Sequence, residues 1–535
     1  MLNTLDETAL EREIQQAMEV SQTPGLALAI VRGQEVVYAR GFGVTSVEDG
    51  QLPVTPQTLF CIGSVTKSLV GTALMRLIEQ EILHLDTSIC HYLPWLRQVN
   101  HAMQHVTLRQ LLSHTAGLPH RHITHGPRSN EAVAATIQQE IAHTRLIAPS
   151  GKIYVYSNLG FVLAGHIAEV VTQKQFPDLM QELIFSPLHM TRTFFDRTVA
   201  MTYPLALPHE LDRTGAMRVK HTFVDNAVGN PAGLALSTIL DLSKFALLYH
   251  GEGCFGQEKL LNASTLAEMQ RPQAIMHTPM DIAYGLSWFI AHYRGQRCVM
   301  HYGSMMSYMG EIRFFPDEKL AIIALSNFTH NMAQWNIVTR ISDKLLQSPE
   351  RASHPQLRFI PPVKSNWSKY YGTFVCREVG LIQIALDKEQ LVLIQNKQIF
   401  PLQALKEHTY SKESNSGYIC FVVEDEEEIQ YLFMDEHFFV RVANTSTIEV
   451  SISTLKIYEG FYRLTNGQTV TVTMNNGQLW ITIHWKQQAF ILQPLSETCF
   501  VYSSGLIEFQ MEETPHPILN FRGIALGIYS ELPQT

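Results

Sequence analysis

The sequence predicts a mixed α+β fold, in which an antiparallel sheet flanked by helices carries a helical insertion and is followed by two small all-β domains. Three observations support this prediction. Strand patterns stand at both ends of the first 345 residues, with helical patterns between them. A segment rich in proline and polar residues follows at 348–365. Beyond it the helical periodicity stops and short alternating strands take over.

The first part reads as one domain over residues 1–347. Residues 26–47 contain two apolar stretches that join at Arg32–Gly33, which predicts a pair of strands. Residues 60–250 are mostly helical patterns broken by proline and glycine, and strand patterns return from about residue 284. The stretch "AQWNIVTRISDKLLQ" predicts a closing helix.

The tail reads as a linker at 348–365 and two antiparallel β-barrel domains at 366–450 and 455–535. The stretches "WSKYYGTFVC" and "LKIYEGFYRL" share the pattern Tyr-x-Gly-x-Phe/Tyr, so the two domains form an internal repeat of about 80 residues each. The acidic run "EDEEE" at 424–428 is expected to be a solvated hairpin tip and not a metal site.

Composition excludes several classes of function. The net charge of −9 is spread over 535 residues without a basic cluster, which argues against a nucleic-acid partner. No stretch approaches the roughly 20 apolar residues of a membrane span, and the first residues lack the basic and apolar pattern of a secretory signal. Seven scattered cysteines favour reduced thiols, so we expect a cytoplasmic protein.

Three other motifs are weak. "GEGCFG" at 251–256 follows a helical stretch, whereas a dinucleotide site requires a preceding strand, so it is expected to be a helix C-terminal turn. No Gly-x-Ser-x-Gly stands between a strand and a helix. A histidine-rich stretch lacks the spacing of a zinc site, so neither a metal nor another cofactor is expected; its members are His114, His120, His122 and His125.

The stretch "CIGSVTKSLV" contains the first candidate pair, Ser64 and Lys67. Residues three apart share a helix face, and the positive end of a helix lowers the pKa of an amine, so Lys67 could take the proton of a serine nucleophile. A second copy at Ser453 and Lys456 shows that the pattern also occurs by chance. On this motif alone, Ser64 as a helix cap with Lys67 in solvent is the favoured interpretation.

Two later motifs offer partners. Tyr156 and Asn158 precede a helix that is expected to begin at Leu159, with Asn158 as its ordinary cap, but a phenol here could also relay a proton. His301 and Gly303 lie in a strand pattern, where the glycine would let substrate backbone come close. The next amide, that of Ser304, could point at a developing oxyanion; the alternative is a partly buried strand histidine.

Taken together in this order, Ser-x-x-Lys, Tyr-x-Asn and His-x-Gly resemble the signature of the serine β-lactamase and penicillin-binding-protein superfamily. The stretches "VTLRQLLSHTAGLP" and "YGLSWFI" are similar to its branch of class C β-lactamases, D-peptidases and esterases. The resemblance covers residues 1–347. Two lipocalin-like barrels after such a catalytic domain, together with histidine in the third motif, resemble the arrangement of the D-aminopeptidase group within this branch.

This resemblance implies a role for each candidate. Ser64 would be the acylated nucleophile and Lys67 its base, Tyr156 would shuttle the proton, and Asn158 would hold the lysine and the substrate amide. His301 would take the third-motif position beside Gly303. The amides of Ser64 and Ser304 would form the oxyanion hole. Class C β-lactamases have lysine where this chain has His301, which weakens carboxylate recognition and hence β-lactam hydrolysis.

The sequence therefore predicts a serine hydrolase that acts on small amides or short peptides through an acyl-enzyme, with a D-residue on the acyl side as one expectation. An esterase, a thioesterase or acyltransferase of the penicillin-binding-protein type, and a β-lactamase remain alternatives. An inactive binding protein on the same fold is the alternative from another class. The expected partner is a small molecule or short peptide, without nucleic acid or membrane.

Overall fold

The computed structural model of the chain divides into two compact units, Met1–Met276 with Asp281–Ala352, and His277–Met280 with Ser353–Thr535. The structure describes residues 6–48, 52–120, 126–142, 144–329, 333–346, 359–412, 417–423, 429–435, 437–442, 450–464, 467–503, 505–510, 517–521 and 525–530. The acidic run at 424–428, most of the predicted linker, His122 and His125 lie outside these residues.

An eight-stranded antiparallel sheet forms the centre of the first unit, which confirms the predicted fold class. Both ends of the sequence pattern contribute to it, because the first hairpin pairs with a strand from beyond residue 319. In spatial order the strands are Glu35–Gly43, Gly25–Arg32, Leu320–Ser326, Tyr308–Phe315, Gln296–Met305, Phe289–Tyr293, Ala283–Tyr284 and Ala274–Ile275.

Both faces of this sheet are covered, which explains why its central strands are buried at almost every position. In Gly25–Arg32, Ala27 and Ala29 enter one apolar core while Leu26 and Leu28 enter another, as the two-residue period of a strand requires. The helices Glu7–Ser21 and Ala333–Leu345 cover the second face. The helices Thr66–Glu79 and Ile239–His250 contribute to the core of the first face.

The predicted helical insertion lies between the two ends of the sheet. The segment "GEGCFG" follows the helix Ile239–His250, with Gly251 at its C-cap, so the expected helix-end turn is confirmed. The other helices of this unit are Ile89–Tyr92, Leu96–Val99, Leu108–Leu112, Val133–Ala142, Asn158–Thr172, Phe176–Met180, Arg197–Ala200, Asn230–Gly233 and Ala263–Met269. Three two-stranded pairs complete it: Phe60–Cys61 with Leu236–Ser237, His209–Leu211 with Met217–Val219, and Cys254–Phe255 with Glu258–Lys259.

The second unit is built almost wholly from antiparallel strands. After the short helix Trp367–Tyr370, eight strands form a closed barrel. Closure occurs because the first strand pairs with both the second and the last. The barrel strands are Gly372–Cys376, Gly380–Asp387, Gln390–Gln395, Gln398–Lys406, Thr409–Lys412, Tyr418–Val422, Tyr431–Met434 and His437–Val442.

A nine-stranded sheet follows the helix Ile452–Ile457. Its two edge strands, Gln488–Ile491 and Gln493–Pro494, are separated by a single residue, so one stretch of chain forms both edges and the sheet must curl upon itself. The other strands are Gly460–Leu464, Thr469–Asn475, Gln478–Ile483, Cys499–Tyr502, Gly505–Gln510, Ile518–Phe521 and Ala525–Ser530.

The internal repeat that the sequence predicts is visible in the packing. In both halves a short helix ends near a buried tyrosine and leads into the first strand. Tyr370 stacks on Phe421 with ring centroids 4.0 Å apart, and Tyr458 stacks on Phe509 at 4.1 Å. Both tyrosines and both phenylalanines are separated by the same offset of about 88 residues, which supports duplication of one structural unit.

Candidate active site

Ser64 lies in a tight turn immediately before a buried helix. The turn is the 3₁₀ segment Gly63–Val65, and the helix Thr66–Glu79 follows it directly. Gly63 has φ +54°, and a Cβ atom there would lie 2.7 Å from the backbone nitrogen of Ser304. Glycine is therefore required both by the backbone conformation and by the close approach of a second segment. Ser64 caps no helix, because the helix starts two residues later.

Lys67 projects from the first turn of that helix and is fully buried. Its Nζ atom lies 3.0 Å from Oγ of Ser64, 2.7 Å from Oδ1 of Asn158 and 2.5 Å from the carbonyl oxygen of Ala232. Among the residues that the structure describes, no carboxylate pairs with it. Burial lowers the pKa of this amine well below its ordinary value.

The three oxygen neighbours of Lys67 match the hydrogen-bonding capacity of a neutral amine. A neutral amine has two N–H donors and one lone pair. The Ala232 carbonyl and the Asn158 side-chain oxygen are acceptors and take the two donors. The lone pair then faces the Ser64 hydroxyl, which is the group that has to lose a proton before it can attack.

Tyr156 and Asn158 stand at the start of the helix Asn158–Thr172. The cap of this helix is Ser157, whose Oγ accepts from the amide of Gly160, so the expectation that Asn158 is the cap was wrong. Because Ser157 satisfies the orphan amide of Gly160, the helix start does not need the Asn158 side chain, which contacts Lys67 and His120. The ring centroid of Tyr156 lies 4.9 Å from Nζ of Lys67.

The third motif lies in the strand Gln296–Met305, as predicted. Gly303 pairs with Gly310 on the neighbouring strand, and this side-chain-free patch packs against the turn of the nucleophile. A Cβ atom on Gly303 would lie 2.5 Å from the Ile62 carbonyl oxygen and closer still to the Ser64 nitrogen. The amides of Ser64 and Ser304 therefore belong to two backbone segments in direct contact, which is the arrangement that an oxyanion hole needs.

His301 is fully buried on the same strand. Its Nδ1 lies 2.8 Å from the Tyr302 carbonyl, which can only accept, so Nδ1 carries the proton. Nε2 is then an acceptor for the Tyr284 hydroxyl at 3.1 Å. Burial is the largest cause that lowers the pKa of His301, to about 3. The imidazole is thus neutral and fully engaged within the protein, and it supplies no cation to a substrate carboxylate.

His114, a member of the histidine-rich stretch, has a role that the sequence does not indicate. Its Nδ1 accepts from the Ser157 amide at 3.1 Å, and its carbonyl accepts from the Val155 amide at 2.7 Å. Its ring lies 4.2 Å from that of Tyr156. Burial is the largest cause that lowers the pKa of His114 well below its usual value. His114 therefore holds the Tyr-x-Asn segment from both sides of the tyrosine.

The structure also places the remaining candidates. Ser453 and Lys456 are exposed on the helix Ile452–Ile457, and Ser453 contacts Ser451, which fits a chance occurrence of the pattern.

Within the described ranges, one group of side chains has metal-ligand chemistry, namely Cys376, Glu378 and His437 of the closed barrel, with donor atoms within 4.8 Å of one another. Burial raises the pKa of the Cys376 thiol well above its ordinary value.

Comparisons with known proteins identify the family of the chain. The family model described as Beta-lactamase matches residues 10–342. An unguisins hydrolase of Aspergillus campestris is 25% identical over 381 residues, which cover 67% of this chain and 67% of that protein. The protein Flp of Staphylococcus aureus strain COL is 25% identical over 333 residues, which cover 60% and 62%. The matched regions thus span about two thirds of these relatives.

Solved structures share the fold. A structure of SurE has a TM-score of 0.65 at 21% identity and covers 81% of this chain and 99% of that chain. An octameric penicillin-binding protein homologue from Pyrococcus abyssi has a TM-score of 0.57 at 23% identity, with 82% and 100% covered. The D-alanine carboxypeptidase AmpC of Burkholderia cenocepacia has a TM-score of 0.53 at 22% identity, with 63% and 99% covered.

No helix among the described residues is long and apolar enough to cross a lipid bilayer. The family match extends over more than half of the chain and contains every candidate residue of the site. The chain therefore belongs to the beta-lactamase family, whose members are serine hydrolases within the superfamily of serine β-lactamases and penicillin-binding proteins.

Proposed function

We propose that this chain hydrolyses small amides or short peptides through an acyl-enzyme on Ser64, with a D-residue on the acyl side of the substrate. The observation that carries the proposal is the 3.0 Å separation between Oγ of Ser64 and Nζ of a fully buried lysine whose pKa is lowered. A neutral amine at this distance is a competent general base for the hydroxyl.

The proposed reaction has two halves. Oγ of Ser64 attacks the substrate carbonyl carbon and transfers its proton to Nζ of Lys67, while the amides of Ser64 and Ser304 stabilise the oxyanion. The proton passes through Tyr156 to the leaving amine as the carbon–nitrogen bond breaks. Water then attacks the resulting ester and gives its proton to the same base. Lys67 returns that proton to Oγ of Ser64 as the carbon–oxygen bond breaks, which releases the acid and restores the free serine and the neutral amine.

His301 supports an amide substrate without a leaving-group carboxylate. A cation at the third motif would attract such a carboxylate, but the His301 imidazole is buried and has a pKa of about 3. Benzylpenicillin should therefore be a poor substrate. The likeness to SurE, which has also been solved with D-Leu, supports a D-residue, since that chain shares most of this fold.

A substrate panel tests the proposal. Purified protein is assayed with D- and L-aminoacyl p-nitroanilides, p-nitrophenyl esters of longer acids and benzylpenicillin, each with and without an added amine acceptor. Ser64→Ala is the inactive control, and Ser453→Ala is the matched control because it removes the exposed serine of the second motif copy. Preference for D-aminoacyl anilides supports the proposal, whereas preference for esters or penicillin contradicts it. Acyl transfer to the added amine as the main product would contradict hydrolysis.

We also propose a reducing compartment, the cytoplasm. All seven cysteines are free, and five of them are buried as small apolar side chains. Titration of the protein unfolded without reductant should find seven thiols. A lower count that reductant restores to seven would contradict this location.

A further inference from the structure

Three side chains with metal-ligand chemistry meet where the first and last strands of the closed barrel lie side by side. They are Cys376, Glu378 and His437, and one donor atom of each lies within 4.8 Å of the other two. Within the group, the Cys376 thiol donates to Oε2 of Glu378 at 3.0 Å. Cys376 is buried, whereas Glu378 and His437 are half-buried, so an ion from solvent can reach the group from their side.

The strand pairing of the barrel explains why these three residues come together. Cys376 ends the first strand, and His437 begins the last one. These two strands are antiparallel neighbours in which Val375 pairs with Val440. Continued by three residues into the adjoining turn, this register brings Glu378 opposite His437. The group therefore spans the seam that closes the barrel.

The internal repeat shows that the fold does not require these three side chains. At the same offset of about 88 residues, the pair Thr373 and Val442 of the barrel corresponds to the pair Phe461 and Ser530 of the following sheet, so the register is the same in both copies. The residues that replace the group in the second copy are Leu464, Asn466 and Ala525. A cysteine, a carboxylate and an imidazole at these positions are thus particular to the first copy.

The combination of donors matches zinc. Thiolate, imidazole and carboxylate are its usual protein ligands, at about 2.0–2.3 Å from the metal, which places two donor atoms of a tetrahedral site about 3.4–3.6 Å apart. The 3.0 Å contact between Cys376 and Glu378 and the upper limit of 4.8 Å lie on either side of this separation. Small rotations of the two half-buried side chains are therefore enough to form the site. Calcium and magnesium, by contrast, take oxygen ligands.

We propose that Cys376, Glu378 and His437 bind one zinc ion, with a water molecule as the fourth ligand. On binding, the Cys376 thiol gives its proton to solvent, and the thiolate bonds to the metal in place of its hydrogen bond to Glu378. The ion then joins the turn after the first strand to the start of the last strand, so it stabilises the closed barrel. This site lies in the second unit and does not depend on the function proposed for Ser64.

Metal titration of the whole chain tests the proposal. Protein without a histidine tag is reduced, treated with a chelator, freed of it, and titrated with Zn²⁺ or Co²⁺. One Zn²⁺ per chain should bind in competition with a chromophoric chelator. Co²⁺ should give a sulfur-to-cobalt charge-transfer band in the near ultraviolet, which reports a thiolate ligand. Zn²⁺ should also raise the midpoint of thermal unfolding, because the unfolded chain does not hold the three ligands together.

Substitutions identify the ligands. Cys376→Ser should abolish the charge-transfer band. His437→Asn and Glu378→Gln should each weaken Zn²⁺ binding by more than about 100-fold, since loss of an outer-shell partner alone typically costs 10- to 100-fold. Both change half-buried residues, so they keep the test decisive if circular dichroism shows that Cys376→Ser is unfolded. The matched control is Cys420→Ser, which removes another buried thiol from the same barrel and should change neither the band nor the affinity.

Two results would overturn the proposal. The first is a wild-type protein that binds no Zn²⁺ or that gives no sulfur-to-cobalt band, which would leave the 3.0 Å contact as a thiol–carboxylate hydrogen bond only. The second is a band or a Zn²⁺ affinity that is unchanged in folded Cys376→Ser, His437→Asn or Glu378→Gln, which would place the metal on other side chains.

Discussion

Gly303→Ala is expected to damage catalysis far more than stability. The new Cβ would lie 2.5 Å from the Ile62 carbonyl oxygen and 2.7 Å from the Gly63 carbonyl carbon, while ordinary contact begins near 3.4 Å. The obstructing atoms are backbone and cannot rotate away. The strand Gln296–Met305 must therefore retreat from the nucleophile turn by about 1 Å, and the Ser304 amide moves with it.

The expected magnitude follows from this displacement. Loss of one oxyanion donor typically lowers kcat by about 10²- to 10³-fold, and we expect a loss in this range for the best anilide substrate. Overpacking of this kind costs about 1–3 kcal/mol of unfolding free energy, so the variant should remain folded. The assay is steady-state turnover combined with urea unfolding followed by circular dichroism.

Gly233→Ala is the matched control for this substitution. Gly233 also lies against Gly63, but a Cβ atom there would be 3.5 Å from the Gly63 carbonyl carbon, which is ordinary contact. Its turnover should stay within about threefold of wild type. If folded Gly303→Ala kept turnover within fivefold of wild type, the close contact of these two segments would not form the oxyanion site.

The other predictions concern the base and its surroundings. Lys67→Arg should lower kcat/KM by several orders of magnitude although charge is kept, since arginine cannot become neutral at accessible pH; activity within tenfold of wild type would make Lys67 structural. Burial lowers the pKa of Lys67, so wild-type kcat/KM should be retained at pH 7 and should fall as acid protonates Nζ. A pH profile in which kcat/KM rises only towards the ordinary lysine pKa of 10.5 would refute a neutral base. His114 has φ +59°, which asparagine tolerates well, so His114→Asn keeps both the backbone and an acceptor for the Ser157 amide, whereas His114→Ala keeps neither. The alanine variant should lose at least tenfold more kcat than the asparagine variant with similar KM, and equal losses would show that His114 does not position the Tyr156 segment.

The fold was predictable because its signals are local. Two apolar stretches that join at Arg32–Gly33 predicted the hairpin of Gly25–Arg32 and Glu35–Gly43, and the repeated Tyr-x-Gly pattern indicated two related β units. The spacing of Ser64 and Lys67 likewise placed both on one face of a turn and helix. The sequence does not reveal which residue of the second motif caps the following helix, because serine and asparagine are both common caps. The structure shows Ser157 in that position, so the expectation for Asn158 was wrong.

Other parts of the site depend on contacts between distant segments. His114 bonds to a residue 43 positions away, and the histidine-rich stretch around it gave no local sign of this role.

Covalent labelling with a fluorophosphonate, followed by peptide mass mapping, tests the central claim most directly. The account predicts a single adduct on the peptide that contains Ser64. The adduct should be absent from Ser64→Ala, strongly slowed in Lys67→Arg, and unchanged in Ser453→Ala. An adduct on any other serine, or a folded wild-type protein that takes up no label while it still turns over substrate, would contradict the assignment of Ser64 as the nucleophile.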